Sequence, residues 1–215
     1  MVDITNLIKN YTNLQYLKLC PEIRLFIRDD HYLHDMLRQE ANDEFVAWPE
    51  WCHVWSGGHA LARYILDNPE LFTGKTVMDY CAGSGVAGIA AALVGASKVT
   101  CVDIDPYALQ AITLNAKANG VSVEVSETPV KADIILVGCP SFKTLEGTFP
   151  EDQLELIKSY DSSYLGYKVL RDEYTRGFFE SGEFEIIDRK TVPTTIHTEG
   201  RTARDVILMS YVKPD

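Results

Sequence analysis

The middle of the chain alternates short apolar runs with segments of helical length. Residues 76–80 and 98–102 are apolar runs as long as buried strands, and the Ala-rich segment 86–97 between them suits a crossover helix. Pro106 opens a further helical segment that runs to Ala118, where Asn119-Gly120 forms a stop signal. This order of elements is typical of a βαβ unit in an α/β fold.

Three further apolar runs, 121–125, 133–137 and 167–170, extend the pattern of strands. Only seven residues separate the first two runs, so we expect no full crossover helix between them. Segments 184–192 and 205–212 alternate apolar and polar residues, which predicts a terminal antiparallel pair. We therefore predict a Rossmann-like, seven-stranded mixed sheet with helices on both faces and an antiparallel C-terminal strand pair.

The beginning of the chain carries a separate pattern. Apolar residues at helical spacing predict a helix over 4–19, the alternation in 22–28 predicts a short strand, and 31–40 is helical in character again. We interpret residues 1–47 as an N-terminal helical cap and residues 48–215 as the main domain.

Composition supports one enzyme-sized domain. At 215 residues and 46% hydrophobic content, the chain can bury a substantial core. Its longest apolar run, Ala87 to Ala96, is far shorter than the roughly 20 residues that span a bilayer. The first residues have no signal-peptide layout, so we expect a cytoplasmic protein without membrane association. Five cysteines without a C-x-x-C pair indicate neither a disulfide framework nor a metal site.

The net charge of −11 bears on the partners of the protein. An acidic surface repels phosphate backbones, which argues against nucleic acid as a partner. A basic protein surface that carries lysines would instead be attracted. Acidity also keeps proteins soluble whatever they bind, so charge alone does not choose a partner.

A glycine-rich turn follows the first core strand and carries the candidate chemistry. Gly83 and Gly85 permit backbone angles that other residues avoid and let a ligand approach the main chain. Asp79 lies near the end of the strand before the turn. Asp103 ends the next strand, twenty positions after Gly83, where its carboxylate can accept hydrogen bonds from both hydroxyls of a ribose. The arrangement predicts a nucleotide site.

Two classes of ligand use such a site. The stretch Gly83-Ser-Gly-Val-Ala-Gly88 matches the G-x-G-x-x-G pattern of NAD and FAD sites. Asp79, however, occupies a strand position that is apolar in most pyrophosphate sites, and its carboxylate suits a cationic ligand better than a doubly anionic one. S-adenosylmethionine carries a sulfonium and an α-ammonium group, so we predict it as the cofactor.

Several stretches resemble one family in particular. They are Pro21 to Leu25, Trp55 to Pro69, the strand ending at Asp79, the helix and strand up to Asp103-Ile-Asp-Pro, and Ala-Ile-Thr-Leu-Asn115. Together they resemble the electron transfer flavoprotein β-subunit lysine methyltransferases, seven-β-strand enzymes that use S-adenosylmethionine. The resemblance is dense from Pro21 to Asn119 and thin afterwards.

The resemblance implies a set of cofactor-binding residues. Trp55 and Gly57 match the segment beside the methionine part of the donor, and the acids and glycines described above match the first-strand acid, the turn and the ribose ligand. Cys81 stands where the family usually has the first glycine of the turn. Ile104, next to Asp103, joins the set, and Glu127 is a candidate for the adenine edge, although an exposed turn carboxylate is an equally good interpretation.

The acceptor side departs from the family. After the fourth strand the family has Gly-Asp and an aromatic three residues beyond that Asp, whereas this chain has Gly138-Cys139 and Phe142. The carboxylate is absent and the ring is kept, so we name Cys139 and Phe142 as catalytic candidates. Phe142, Trp55 and Trp51 are candidates for an aromatic wall that would favour the neutral form of a lysine amine, although packing in the core is the commoner role of aromatics in such positions.

Three hypotheses follow for the activity. The first is transfer of methyl groups to a protein lysine amine, on a probable protein substrate with a basic surface. The second is methyl transfer to a small-molecule amine or to another side chain, and the third is binding of S-adenosylmethionine without catalysis.

Overall fold

The computed structural model describes residues 3–28, 39, 49–138, 163–169, 184–193 and 203–211. The helices in these ranges are α1 (Ile4–Tyr11), α2 (Ser56–Asp67), α3 (Val86–Leu93) and α4 (Pro106–Ala118), with short 3-10 turns at Glu50–Cys52 and Pro69–Leu71. The strands are β1 (Asn13–Tyr16), β2 (Arg24–Ile27), β3 (Thr76–Tyr80), β4 (Lys98–Val102), β5 (Glu124–Ser126), β6 (Ile134–Val137), β7 (Ser163–Val169), β8 (Phe184–Pro193) and β9 (Ala203–Tyr211).

The main sheet has the strand order β5-β4-β3-β6-β7-β9-β8. The pairs from β5 to β7 are parallel, and β9 pairs antiparallel with both β7 and β8. The predicted Rossmann-like α/β fold with a parallel sheet is therefore confirmed. The strand order reverses between β3 and β6, and in open α/β sheets such a reversal creates a crevice at the carboxyl ends of the strands.

The connection between β5 and β6 contains no helix, as the short spacing predicts. Val77 and Met78 on β3 and all four residues of β6 are buried, because helices cover the parallel centre of the sheet in folds of this class. The buried cluster joins these strands to α2 and to the small-residue helix α3.

The prediction of one helix over residues 4–19 is wrong in its second half. Helix α1 begins at the N-cap Asp3 and ends at Tyr11, and Thr12 adopts an extended backbone. The chain then forms β1, which pairs antiparallel with β2. Leu14 and Tyr16, which extended the apolar spacing in the sequence, are 41% and 68% exposed, so they do not belong to a buried helix face.

The β1–β2 hairpin and α1 share buried clusters with the sheet and its helices. Leu17, Ile23 and Leu25 belong to the same buried cluster as the sheet core. Leu7 and Ile8 of α1 join a second cluster that includes residues of α4. In the described ranges, no helix has the length and apolar content needed to cross a membrane.

Candidate functional site

A cleft lies at the point where the strand order reverses, between the ends of β3 and β6 and the beginnings of α2 and α3. It encloses about 350 Å³, part of which is open to solvent. Its lining residues come from the segment before α2, the end of β3, the glycine turn, the start of α3 and the end of β6: His53, Trp55, Gly58, Asp79, Cys81, Ala82, Gly83, Ser84, Val86, Ala87 and Gly138.

The turn between β3 and α3 bends through three left-handed residues. Cys81, Gly83 and Gly85 have φ values of 55°, 53° and 76°. A Cβ atom built on Gly83 would meet no atom within 4 Å, so the main chain there is open to a ligand. Cys81 is exposed. Among the residues that the structure describes, it is the only one other than glycine with a positive φ. The glycine position that the resemblance implies at residue 81 therefore has a left-handed backbone.

Asp79 is 2% exposed and caps helix α3 from outside the helix. Its Oδ2 accepts a hydrogen bond of 2.8 Å from the amide of Gly88, the third residue of α3. The N-cap residue Gly85 has no side chain to satisfy this amide. No local sequence pattern indicates this structural role, because the bond joins residues on different elements.

Burial raises the pKa of Asp79 to about 7. The Gly88 amide opposes this effect and the nearby Asp103 carboxylate adds to it. The thiol of Cys101 on β4 is fully buried as well, and burial raises its pKa, with smaller contributions from the same two acids. In this environment an approaching cation would favour the ionised form of Asp79.

Asp103 follows β4 and holds the turn from the other side. Its Oδ2 accepts a hydrogen bond of 2.8 Å from the Gly83 amide, and its Oδ1 accepts one of 3.1 Å from Asp105. Each carboxylate oxygen has about two acceptor sites, so both retain capacity for the hydroxyl groups of a ligand. The two acids predicted as ligands thus also fix the backbone that would contact the ligand.

The start of α2 closes the cleft on the side of β6. Trp55 is the N-cap residue of α2, is 37% exposed and lies edge-on to His53 with 6.2 Å between ring centroids. A Cβ atom on Gly138 would lie 2.8 Å from the Cα of Gly58, so the two backbones approach closely. His53, Gly58, Ser84 and Gly138 line the cleft but were not predicted. Among these four, only Gly58 and Gly138 could have been found from the sequence, because they are small residues at the ends of elements.

The structure brings together four of the predicted residues and separates others. Trp55, Asp79, Cys81 and Gly83 line the cleft. Gly57 and Gly85 are buried beside it, Ile104 is 87% exposed after β4, and Glu127 is exposed after β5. The amide of Asp103 donates a hydrogen bond of 3.1 Å to the carbonyl of Ser126, which holds the ends of β4 and β5 side by side.

Trp51 does not contribute to the cleft, which corrects its prediction as part of an aromatic wall. It is 1% exposed and packs against Leu7, Ile8, Cys52, Ala108 and Ala111 in the second buried cluster. The catalytic candidates Cys139 and Phe142 lie outside the described residues, of which Gly138 is the last in this part of the chain.

The sequence is similar to those of known methyltransferases. The family model described as ribosomal protein L11 methyltransferase (PrmA) matches residues 59–137. The electron transfer flavoprotein beta subunit lysine methyltransferase of Mus musculus is 53% identical over 74 residues, which are 34% of this chain and 29% of the relative. The protein with the same name in Danio rerio is 40% identical over 125 residues, 56% of this chain and 46% of the relative. The resemblance inferred from the sequence is confirmed, and the matches span less than half the length of these relatives.

Solved structures give the fold. The ribosomal protein L11 methylase of Lactobacillus delbrueckii subsp. bulgaricus superposes with a TM-score of 0.52 at 20% identity, over 71% of this chain and 77% of that one. The tRNA (uracil-54, C5)-methyltransferase of Pyrococcus abyssi, in complex with S-adenosyl-L-homocysteine, superposes with a TM-score of 0.51 at 18% identity, over 69% of this chain and 38% of that one.

Proposed function

We propose that the chain is an S-adenosylmethionine-dependent methyltransferase that transfers methyl groups to a lysine amine of a protein. The observation that carries the proposal is the pair of acids at the ends of adjacent parallel strands, Asp79 and Asp103, on either side of an open glycine turn. The names of the sequence relatives support the methyl transfer and the lysine acceptor.

The described residues fit the proposed cofactor. Gly83 leaves its backbone open, Trp55 offers a partly exposed ring at the cleft, and Asp79 offers a buried acid for a cationic group. When bound, S-adenosylmethionine would supply a methyl group on a positively charged sulfur. In this proposal Asp103 accepts hydrogen bonds from the ribose, and Ile104 and Glu127 contact the adenosine part from the ends of β4 and β5.

The acceptor amine must be neutral before it attacks the methyl group. Removing a proton from a lysine with an ordinary pKa near 10.4 costs roughly 4 to 5 kcal/mol at pH 7. We assign the acceptor side to Cys139, which directly follows the cleft residue Gly138, and to Phe142, four positions after it. Cys139 replaces the carboxylate of the resembled family. The net charge of −11 supports a basic protein surface as the substrate, since opposite charges attract.

We propose a main domain over residues 48–215 with helices on both faces of a seven-stranded sheet, preceded by an extension over 1–47. We also propose a cytoplasmic location and partners that include neither nucleic acid nor membrane.

The test compares wild type with Asp103→Ala. Wild type is expected to bind S-adenosylhomocysteine in calorimetry and to transfer labelled methyl groups to a protein band in fractionated lysate. Asp103→Ala is expected to bind 10- to 100-fold more weakly, the size of one or two hydrogen bonds to a charged group.

Asp133→Ala is the matched control. Asp133 also accepts hydrogen bonds from a backbone amide, that of Thr76, but at the opposite end of the parallel strands. Its removal should leave binding unchanged. Equal binding by Asp103→Ala and wild type would contradict the cofactor assignment, whereas label in a low-mass fraction alone would move the acceptor to a small-molecule amine. Binding without any labelled product would identify a non-catalytic binding protein.

A further inference from the structure

One buried amide side chain connects the N-terminal hairpin to the glycine turn. Asn115 lies in α4 and is 0% exposed. Its Oδ1 accepts a hydrogen bond of 2.7 Å from the amide of Phe26 on β2, and its Nδ2 donates one of 2.9 Å to the carbonyl of Ser84. One partner is an N–H and the other a C=O, so both bonds require the same orientation of the amide.

The Ser84 end of this connection lies inside the candidate site. Ser84 lines the cleft and stands between the left-handed residues Gly83 and Gly85. The turn is further held by the bond from Gly83 to Asp103 and by the bond of 2.8 Å from the Gly85 amide to the carbonyl of Ala82. Asn115 therefore holds a peptide group whose position decides where the neighbouring amides point.

The side-chain amide of Asn119, the C-cap residue of α4, serves as an internal comparison. Asn119 Oδ1 accepts a hydrogen bond of 3.0 Å from the Arg24 amide, and its Nδ2 donates one of 2.7 Å to the Arg24 carbonyl. Both residues attach α4 to strand β2. Of these two, Asn115 alone has a bond to the glycine turn.

We propose that Asn115 is a positioning residue for the cofactor. Its side chain couples docking of the N-terminal hairpin to the geometry of the glycine turn. It touches no ligand itself and acts through the carbonyl of Ser84. This inference rests on the proposed function, because its ligand is the methyl donor or its product.

The coupling predicts a difference between two matched variants. Asn115→Ala and Asn119→Ala each remove an amide that binds β2, so both should lower the urea midpoint of unfolding. Only Asn115→Ala should weaken the binding of S-adenosylhomocysteine, by about tenfold, since one hydrogen bond to the turn is lost. Hydrogen exchange of the amides in 83–85 should rise in Asn115→Ala and stay unchanged in Asn119→Ala.

Asn115→Asp separates the two bonds and covers the case in which Asn115→Ala does not fold. Its carboxylate can still accept from Phe26, but it has no donor for the Ser84 carbonyl until it is protonated. The affinity of this variant relative to wild type should therefore be low at pH 8 and should recover toward pH 5.5. A residue that merely stabilised the fold would not give this recovery of relative affinity.

Each outcome is decisive. Wild-type affinity in both Asn115 variants would overturn this inference and leave the proposed function intact. An equal loss of affinity in Asn119→Ala would overturn it too, because the effect would then come from hairpin docking alone. Absence of S-adenosylhomocysteine binding by wild type would overturn the proposed function and this inference with it.

Discussion

Replacing Asp79 with asparagine removes a buried ionisable group and keeps an oxygen that can accept the Gly88 amide. The wild-type carboxyl is 2% exposed, and burial raises its pKa from 3.8 to about 7 in the folded protein. In the unfolded chain the same group titrates near its ordinary value. The folded state therefore binds a proton more tightly than the unfolded state does across this interval.

The sign of the effect on stability follows from this difference. A raised pKa in the folded state makes wild type lose stability as the pH rises from about 4 to about 7. At 1.36 kcal/mol per pH unit, the full loss is about 4 kcal/mol. About half of this loss falls within reach of experiment, because between pH 5.5 and pH 7.5 the free energy of unfolding should fall by about 2 kcal/mol through this group.

The assay is urea unfolding of wild type and Asp79→Asn at pH 5.5 and 7.5. Groups that titrate equally in both proteins cancel in the difference, so Asp79→Asn should gain about 2 kcal/mol relative to wild type at the higher pH. Asp133→Asn is the control. Hydrogen bonds from Thr76 lower the pKa of Asp133, so its stabilising effect is lost only in acid and its difference from wild type should be constant in this window.

One result would refute this reasoning. If the difference between wild type and Asp79→Asn is the same at both pH values, Asp79 is ionised throughout, and its hydrogen bond with Gly88 outweighs the cost of burial. The proposed attraction of a cationic ligand would then start from a carboxylate that is already charged.

Two further substitutions test the geometry of the turn and of the helix behind it. Cys81→Gly should raise the free energy of unfolding by about 1 kcal/mol, because the left-handed backbone at φ 55° is costly for a residue with a Cβ atom. Cys81→Ala, measured in the same thermal or urea unfolding, should bring no gain. A loss of stability in Cys81→Gly would contradict backbone strain at this residue. Gly88→Ala should lower the free energy of unfolding by about 3 kcal/mol, since its Cβ would lie 2.5 Å from Cys101 Sγ. In a double-mutant cycle, the double variant with Cys101→Ala should recover part of that loss. Strictly additive losses would mean that the thiol is not the obstacle.

The sequence predicts the βαβ unit well because its signals are local. Strands β3 and β4, helix α4 and the missing helix before β6 all follow from apolar runs, a proline start and a short spacing. The sequence predicts a helix longer than α1, because Leu14 and Tyr16 continue a helical spacing by chance. Their exposure in a hairpin depends on pairing with β2, which no local pattern encodes.

The sequence predicts the two acids of the site but not the hydrogen bonds that they accept. Asp79 and Asp103 could be found because each ends an apolar strand next to a glycine turn. Their hydrogen bonds to Gly88 and Gly83 could not, because they depend on how helix and turn pack on the sheet. The role of Asn115 was invisible for the same reason, since its partners lie 89 and 31 positions away in the chain.

These bonds explain why a cysteine is tolerated at a glycine position of the turn. The turn is held by three groups outside it: Asp103 at the Gly83 amide, Asn115 at the Ser84 carbonyl and Asp79 at the start of the following helix. None of the three bonds uses a side chain of the turn. A left-handed backbone at Cys81 costs roughly 1 to 2 kcal/mol, which is comparable to a single hydrogen bond to a charged group. The shape of the turn therefore depends more on its three anchors than on its own sequence, and substitutions at the anchors should alter the cleft more than substitutions within the turn.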